Sequence, residues 1–337
     1  MIFFRYISLI LFFLPFSSNA QQHLIKLATL APEGSSWTKA LRNIDAEVRQ
    51  RTKGEITFKI YPGGVMGDED VILRKIRVGQ LHAGGFGGPG ASKVFNDLLA
   101  LEMPFLFHDY DEIDYVLEQT ESFYRAGYAA NGFILLGWAD IGFVHILSKN
   151  PIRASSDIKG LKVWRLEDEP ITEVLFRKAA VSSVPLIIPD VLLGLQTNLV
   201  EVVYAPPAAA IVMQWFTRVK YITKLPINYT LGALLISKRK FTRLSTEQQN
   251  ILREVCRKHM LQQVAQSRRD NGEALNVLQA QGLQLVDPIE KEIQSFKDLV
   301  RESTPELVGK AFSKESYDLV KAHLSTFRQR STPSNAP

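Results

Sequence analysis

The chain has 337 residues, of which 46% are hydrophobic and 22% are charged, with a formal net charge of +5. This composition is that of an ordinary globular protein, and the length predicts two domains of about 150 residues each. Acidic and basic residues are mixed along the chain, which argues against a nucleic-acid-binding surface. The single cysteine, Cys256, excludes an internal disulfide bond, and we interpret it as a small buried apolar residue.

The N-terminal residues 1–20 have the pattern of a secretory signal peptide. Arg5 supplies a positive charge, an apolar stretch follows, and small residues end at Ala20. The alternative is a membrane anchor, but this apolar stretch is shorter than the roughly 20 residues that a spanning helix needs. We therefore expect export to the periplasm and a mature protein that does not span the membrane.

Strands and helices alternate in the first part of the chain. Apolar alternation predicts strands, and an apolar repeat at helical spacing predicts helices. In chain order, we expect a strand at 23–30, a helix at 35–52, a strand at 54–62, a helix at 68–80 and a short strand at 81–88. This alternation indicates βαβ units and a mostly parallel sheet.

The rest of the chain continues with new elements. We expect two strands around "WAD" within 133–149, a strand at 161–166, a helix at 170–180, a strand at 182–187, a helix at 188–198 and strands at 199–207 and 228–241. The basic segment 237–243 is interpreted as a solvated turn. One helical period extends over 245–282, a length of roughly 50 Å. Residues 326–337 are predicted to form a disordered tail.

Eight segments between residues 23 and 280 occur in a recognisable order. They are "HLIKLATLAPEGSSW", "RTKGEITFKIYPGGVMGDED", "VGQLHAG", "EMPFLFHDYDE", "LGWADIGF", "PIRASSDIKGLKVW", "VLLGLQTNLVEVVYAPP" and "YITKLPINYTLGALLISK". Together they resemble the periplasmic solute-binding proteins of TRAP transporters, the DctP-type family. The resemblance implies an α/β fold of two domains, with mixed sheets flanked by helices. It also implies a ligand cleft between the domains, a long helix that bridges both, and hinge closure.

The resemblance further implies that the chain passes between the domains more than once. Domain I is expected to comprise residues 23–145 and 226–270, and domain II residues 146–225 and 271–325. The reason is that the strand at 228–241 must return to the first domain if the family topology holds.

Three positions where typical family members hold a polar ligand carry other residues here. The usual arginine two residues after Lys162 is replaced by Trp164, a second arginine by Val144, and an asparagine by Ala205. Arg165 follows directly, and strand alternation places it on the opposite face from Trp164. The alternative is a register shift of one residue, which would make Arg165 the usual ligand-binding arginine. We interpret the chain as a branch of the family that lacks this arginine and has a large, aromatic and apolar site.

Further residues are expected to line the cleft by their position in the family pattern. They are Leu30 and Pro32 after the first strand, Phe86 in "GFGGPG", Tyr204 and Trp215. Trp215 could equally pack in the core. "GFGGPG" fits the dinucleotide-binding pattern, but a lone match is weak, and we interpret it as a loop on the ligand side.

The acidic run 167–169 stands before Pro170, the arrangement of a helix N-terminus. The alternative interpretation of this run is a cation site at the mouth of the cleft. The histidines show no metal-ligand spacing, and no set of nucleophile and base is visible. We therefore expect neither an enzyme, nor a cofactor, nor a metal site.

The predicted function is that of the solute-binding component of a TRAP-type importer. It would capture a small, largely apolar or amphiphilic organic ligand and deliver it to the membrane permease subunits. The alternative is a periplasmic ligand sensor, or a lipid or amphiphile carrier, that uses the same fold. We expect a monomer that binds no nucleic acid, and the sequence does not name the ligand.

Overall fold

The computed structural model of the protein describes residues 22–331. The predicted signal peptide lies outside these residues, as do residues 332–337 of the predicted tail. Residues 326–331, predicted to be disordered, instead complete the last helix. The ring of Phe327 contacts that of Tyr115 at 5.2 Å, and the Arg328 Nε donates to Glu112 Oε1 at 2.6 Å. These contacts give the segment enough packing to remain helical.

The strands of the described chain are β1 (His23–Thr29), β2 (Ile56–Tyr61), β3 (Ala83–Gly87), β4 (Phe133–Ser148), β5 (Val163–Leu166), β6 (Ser183–Leu186), β7 (Val202–Ala205), β8 (Tyr221–Thr223), β9 (Asn228–Ser237) and β10 (Gln284–Val286). The α-helices are α1 (Ser36–Arg51), α2 (Glu69–Arg77), α3 (Gly88–Ser92), α4 (Tyr110–Ala130), α5 (Pro170–Lys178), α6 (Val191–Gln196), α7 (Pro207–Val212), α8 (Lys238–Phe241), α9 (Thr246–Ala280), α10 (Glu290–Leu307) and α11 (Lys314–Ser331). Short 3-10 helices occupy Asn96–Glu102, Ser155–Ile158, Ile188–Asp190 and Trp215–Arg218.

The strands form one mixed sheet in the order β2-β1-β3-β9-β4-β7-β5-β6. We call β1, β2, β3 and β9 the first half of the sheet, and β5, β6, β7, β8 and β10 the second half. Strand β1 runs parallel to β2 and β3, whereas β9 runs antiparallel to β3 and β4. The expected α/β fold with a mixed sheet flanked by helices is confirmed.

Strand β4 joins the two halves. The prediction of two strands around "WAD" is wrong, because residues Phe133–Ser148 form one continuous strand. Its first part pairs with β9, and its last residues pair with β7 and β8. The register of β4 against β9 shifts between Asp140 and Gly142, and Gly142 adopts a φ of +126°. A bulge at this glycine bends the strand without ending it.

Helix α9 packs along both halves of the sheet, and the expected long helix is confirmed. Ser245 and Gln248 form a capping box at its start. Its 35 residues correspond to a length of about 53 Å. Cys256, fully buried, belongs to the core beneath the first half, while Leu278 belongs to the core beneath the second half.

Two local predictions near the ends of elements need correction. The basic segment 237–243, predicted as a turn, contains the short helix α8, because the Ser237 hydroxyl accepts a hydrogen bond from the Lys240 amide and caps it. The strand predicted over 228–241 therefore ends at Ser237. The helix predicted over 188–198 is a 3-10 turn followed by α6.

The C-terminal helices pack on different parts of the molecule. Helix α10 contacts α5, where Lys178 Nζ donates to the Glu302 carbonyl at 2.7 Å. Helix α11 contacts α4, where the hydroxyls of Tyr124 and Ser316 lie 3.1 Å apart. The latter contact places α11 against an element of the predicted domain I, although the predicted domain II extends to residue 325. The boundaries of the two domains stay a prediction. Within residues 22–331, no helix has the length and apolar character required to cross a membrane.

Candidate ligand-binding cleft

A cavity of about 1170 Å³ lies between the two halves of the sheet, beside α9. Residues of β1, α1, β3 and β9 line it on one side, and residues of β5, α5, β7 and α7 line it on the other. Its size is slightly above the usual range of small-molecule sites. Both halves of the sheet therefore contribute to one cleft that is open to the surface on part of its boundary.

Aromatic rings form the wall on the second half. Trp164 on β5 stacks on Tyr204 of β7, with ring centroids 4.7 Å apart, and Trp215 meets Trp164 edge to face at 5.2 Å. The indole Nε1 of Trp164 donates to the Leu186 carbonyl at 3.0 Å. This hydrogen bond satisfies the polar atom of the ring and fixes its orientation.

Strand alternation separates Trp164 from Arg165. Trp164 and Leu166 line the cavity, whereas Arg165 does not. The Arg165 side chain is partly exposed, and its Nη1 donates to the carbonyl of Leu166 at 3.3 Å. The positive charge of Arg165 acts on the nearby Glu169 carboxyl, which does line the cavity. That Trp164, rather than Arg165, contacts the ligand stays a prediction.

Of the other positions predicted from sequence, most line this cavity. Val144, Ala205, Leu30, Pro32 and Trp215 join Trp164 and Tyr204 in its wall. Whether each contacts the ligand stays a prediction.

Phe86 does not line the cavity. It is fully buried in the hydrophobic core, and its ring packs over Gly84 on the far face of β3. The residues on either side of it, Gly85 and Gly87, line the cavity instead. Neighbouring residues of a strand point to opposite faces, so the placement of Phe86 in the cleft was off by one residue.

A buried carboxyl group that was not predicted lies in the first-half wall. Glu102 is only 8% exposed, and its carboxyl lies directly over Gly88. Its Oε1 accepts hydrogen bonds from the Thr230 hydroxyl at 2.7 Å and from the Leu231 amide at 3.1 Å. Burial raises the pKa of Glu102 to about 8, although these two hydrogen bonds act in the opposite direction.

Two further glutamates line the cavity near Glu102. Glu69, the first residue of α2, is 9% exposed, and its Oε1 accepts from the Gly87 amide at 2.6 Å. Burial raises the pKa of Glu69 to about 7. Glu169 caps α5 by accepting from the amides of Ile171 and Thr172, and burial raises its pKa as well. The negative charges of Glu69 and Glu169 each raise the pKa of Glu102 further, so the three carboxyls interact.

A separate buried acid connects β4 to α9. Asp140 Oδ2 accepts from the Tyr229 hydroxyl and from Arg268 Nε, each at 2.9 Å. Arg268 also pairs with Asp114 at 2.5 Å. Burial raises the pKa of Asp140, and Arg268 and Tyr229 partly offset this. The network holds the polar face of α9 against the strand that joins the two halves.

Polar residues of α9 contact the same strand. Gln263 donates to the Asp140 carbonyl and accepts from its amide. Asn271 donates to the Ile141 carbonyl at 2.8 Å and accepts from the Ala208 amide of α7 at 3.1 Å. The side chain of Asn271 thus contacts β4 and α7 at once. Such contacts link the position of α7 to that of β4.

The lysine and arginine side chains that line the cavity within residues 22–331 are Lys39 and Arg269, both of them exposed. The buried acids of the cleft therefore have no buried lysine or arginine of the cavity wall opposite them, and the buried imidazole of His259, which also lines the cavity, is engaged by Glu47 at 2.7 Å. A second, apolar cavity of about 120 Å³ adjoins the cleft and shares with it Pro104, Leu175, Phe176, Tyr204 and Ile227.

Sequence reasoning missed the glutamates for a clear reason. The acidic run 167–169 has the pattern of a helix cap, which Glu169 does form, yet the same carboxyl also lines the cavity. Glu102 stands alone among apolar residues in "LLALEMPFLF". An isolated acid in an apolar run is rarely buried without a purpose, and this was the available signal.

Comparisons with known proteins agree with this architecture. The DctP family, described as "Bacterial extracellular solute-binding protein, family 7", matches residues 27–310. The 2,3-diketo-L-gulonate-binding periplasmic protein YiaO of Escherichia coli is 25% identical over 218 residues, which cover 63% of this chain and 65% of that protein.

Solved structures also match the fold. A TRAP periplasmic solute-binding protein from Xanthobacter autotrophicus Py2, with bound β-D-galacturonate, matches with a TM-score of 0.83 at 19% identity, covering 89% of this chain and 99% of that one. The sugar acid binding protein DctPAm from Advenella mimigardefordensis, in complex with galactonate, matches with a TM-score of 0.84 at 19% identity, covering 91% and 99%. The fold, the cleft and the match over most of the chain lead to one conclusion: the chain belongs to the DctP family of periplasmic solute-binding proteins of TRAP transporters.

Proposed function

We propose that the protein captures a small organic ligand in the cleft and delivers it to a TRAP-type membrane permease. The observation that carries this proposal is that residues of both halves of the sheet line one cavity. A ligand held there contacts both halves at once, so it favours the closed arrangement over an open one. Such a coupling between capture and closure suits a transport protein rather than an enzyme.

The aromatic wall supports a ligand with a substantial apolar part. Trp164, Tyr204 and Trp215 offer ring surface on one side of the cavity, and the adjoining apolar cavity extends this surface toward Phe176. Burying apolar ligand surface against such rings is favourable at roughly 25 cal/mol per Å². We propose that the ligand is amphiphilic, with its apolar part on this wall.

A sugar acid is the second candidate ligand, because several proteins of similar fold hold one. Against it stands the wall of the cleft in this chain. Trp164 occupies the position where the resemblance implies an arginine, and the buried groups of the wall include the carboxyls of Glu69 and Glu102. A second carboxylate among them would meet repulsion rather than a partner.

The function can be tested with the native ligand. We would purify the mature protein from its own periplasm, identify the small molecule that co-purifies by native mass spectrometry, and add it back to ligand-free protein. X-ray scattering should show a smaller radius of gyration with ligand than without. An unchanged profile at saturation would contradict capture by closure.

Delivery to a permease needs a separate measurement. Cells that lack this protein should lose uptake of the identified compound and regain it when the protein is restored. Normal uptake without the protein would favour the sensor or carrier alternative.

A further inference from the structure

The carboxyl groups of the cleft are the feature that the capture of an apolar ligand does not explain. Glu69 and Glu102 are each at least nine-tenths buried in the cavity wall. Burying acids is costly unless they are paired or neutralised. Hydrogen bonds and raised pKa values lower this cost in the ligand-free protein, and a cationic ligand group would allow both acids to ionise.

Glu102 has one oxygen that is free to interact with a ligand. Its Oε1 is occupied by Thr230 and Leu231, but its Oε2 has no hydrogen-bond partner within residues 22–331. The Glu102 side chain lines the cavity, and Oε2 is not one of the fully enclosed unpartnered atoms of residues 22–331. The side chain thus presents an acceptor oxygen to the cavity, with its other oxygen fixed by the protein.

Acidic side chains from two different elements surround this oxygen. The negative charges of Glu69 in α2 and Glu169 in the β5–α5 loop both raise the pKa of Glu102. The charge of Glu102 in turn raises the pKa of the Tyr128 hydroxyl. The positive charge of Lys93 acts on Glu69, but Lys93 is engaged by Asp70 at 2.5 Å and lies 3.9 Å from Asp168.

Arg165 acts on Glu169 from the opposite face of β5. Neither this arginine nor Lys93 lines the cavity.

The acids adjoin the aromatic wall. The charge of Glu169 acts both on Glu102 and on Tyr204, whose ring stacks on Trp164. One ligand can therefore place a polar group at the acids and an apolar group on the rings.

We propose that the ligand of this cleft carries a cationic amine, which the carboxylate of Glu102 binds beside the negative charge of Glu69, while its apolar part lies on Trp164 and Tyr204; this rests on the proposed function of solute capture. An ammonium group donates hydrogen bonds, which the free Oε2 of Glu102 accepts. It also supplies a positive charge next to the buried acids. A ligand carboxylate offers neither.

Proton linkage gives the proposal a signature. Burial raises the pKa of Glu102 to about 8 and that of Glu69 to about 7, so both carboxyls are partly protonated near neutral pH. A bound ammonium favours their ionised forms and therefore releases protons. A bound carboxylate would take protons up.

The test uses matched probes of opposite charge. We would titrate ligand-free protein near pH 8 by calorimetry with short ω-phenylalkylamines of increasing chain length and with the corresponding ω-phenylalkanoates. D-Glucuronate would be titrated in the same way. We expect at least one amine to bind ten-fold or more tightly than its matched carboxylate. Repeating the titration in buffers of different ionisation enthalpy should show proton release.

Glu102→Gln is the decisive variant, since its amide oxygen can still accept from Thr230 and Leu231. It should weaken amine binding by roughly 10-fold or more. Glu254→Gln removes the same charge from an exposed residue that pairs with Arg51 outside the cleft. This control should leave the affinity unchanged.

Circular dichroism reports whether Glu102→Gln folds. If it does not fold, Glu69→Gln tests the same proposal by removing the neighbouring negative charge, and it should also weaken amine binding.

Three results would overturn the proposal. The first is that a phenylalkanoate or glucuronate binds more tightly than the amines. The second is that neither Glu102→Gln nor Glu69→Gln alters the affinity for the amine. The third is that no amine binds with a dissociation constant below about 1 mM. If the native ligand still compacts the protein in the scattering experiment, only the amine assignment fails. If it does not, the proposed function fails as well.

Discussion

Trp164 and Tyr204 stack across β5 and β7, with ring centroids 4.7 Å apart and ring planes inclined by 27°. Trp215 closes the group by packing its edge against Trp164. Each ring restricts the others, so the wall is preorganised and loses little side-chain entropy when a ligand binds. The residue that stands where the resemblance implies an arginine is thus part of a rigid aromatic cluster.

The first prediction concerns this wall. Replacing Trp164 by alanine should weaken binding of an apolar or amphiphilic ligand about ten-fold or more, because burying such a ring contributes roughly 1.5–3 kcal/mol. Arg165→Ala is the neighbouring control, and it should change the affinity little, since Arg165 does not line the cavity. Titration calorimetry with the co-purified ligand measures both. The reverse result would show that the register assigned to this strand is wrong.

The second prediction concerns stability and pH. Burial raises the pKa of Glu102 to about 8, well above the value of about 4.3 in an unfolded chain. Between these values the folded state binds more protons than the unfolded state, so the free energy of unfolding falls as pH rises through this window. Glu102→Gln should therefore raise the free energy of unfolding near pH 8.5 by an amount on the order of 5 kcal/mol, and should change it little near pH 4.

Urea unfolding of the ligand-free protein at both pH values measures this effect. Glu254→Gln, at an exposed position, serves as the control and should give no gain at the higher pH. Equal effects of Glu102→Gln at both pH values would mean that the carboxyl is already ionised at low pH.

The third prediction concerns the buried ion pair. Arg268→Ala should lower the free energy of unfolding by about 3 kcal/mol, because it leaves Asp140, 1% exposed, without its cation. Arg42→Ala, which removes an exposed pair with Glu33, should have a small effect. Thermal or urea unfolding at neutral pH compares the two variants. Equal losses would show that the Asp140 pair is not specially important.

The fourth prediction contrasts two glycines. Gly142 has a φ of +126°, and a Cβ there would lie 2.4 Å from Asn271 Nδ2, so Gly142→Ala should destabilise the fold by roughly 1–3 kcal/mol. Gly272 lies within α9 with open space around it, so Gly272→Ala should stabilise by roughly 0.5–1 kcal/mol. Urea unfolding of both variants measures the difference. A stabilising Gly142→Ala would contradict the bulge geometry.

Local patterns in the sequence were enough to predict most of the elements. The predicted helix over 245–282 is α9, and the predicted strand over 23–30 is β1. These succeed because periodicity and capping act between residues a few positions apart. The order of family motifs added the fold class and the cleft, which periodicity alone could not supply.

The errors fall where distant parts of the chain meet. The bulge that keeps β4 continuous depends on pairing with β9, about 90 residues later in the chain, and on the glycine at its centre. Phe86 was placed in the cleft because its position near the ligand loop was known but the face to which it points was not. A shift of one residue decides that face.

The sequence by itself determined the alternation of strands and helices, the long helix and the membership of the family, because each depends on short-range patterns or on their order. Only the tertiary structure decided the chemical character of the cleft. Glu102 acquires its partners from Thr230 and Leu231, residues that lie 128 and 129 positions away, and its altered pKa from burial and from Glu69 and Glu169. A carboxyl group has no such properties in an isolated segment, because desolvation and the fields of distant charges exist only once the chain has folded.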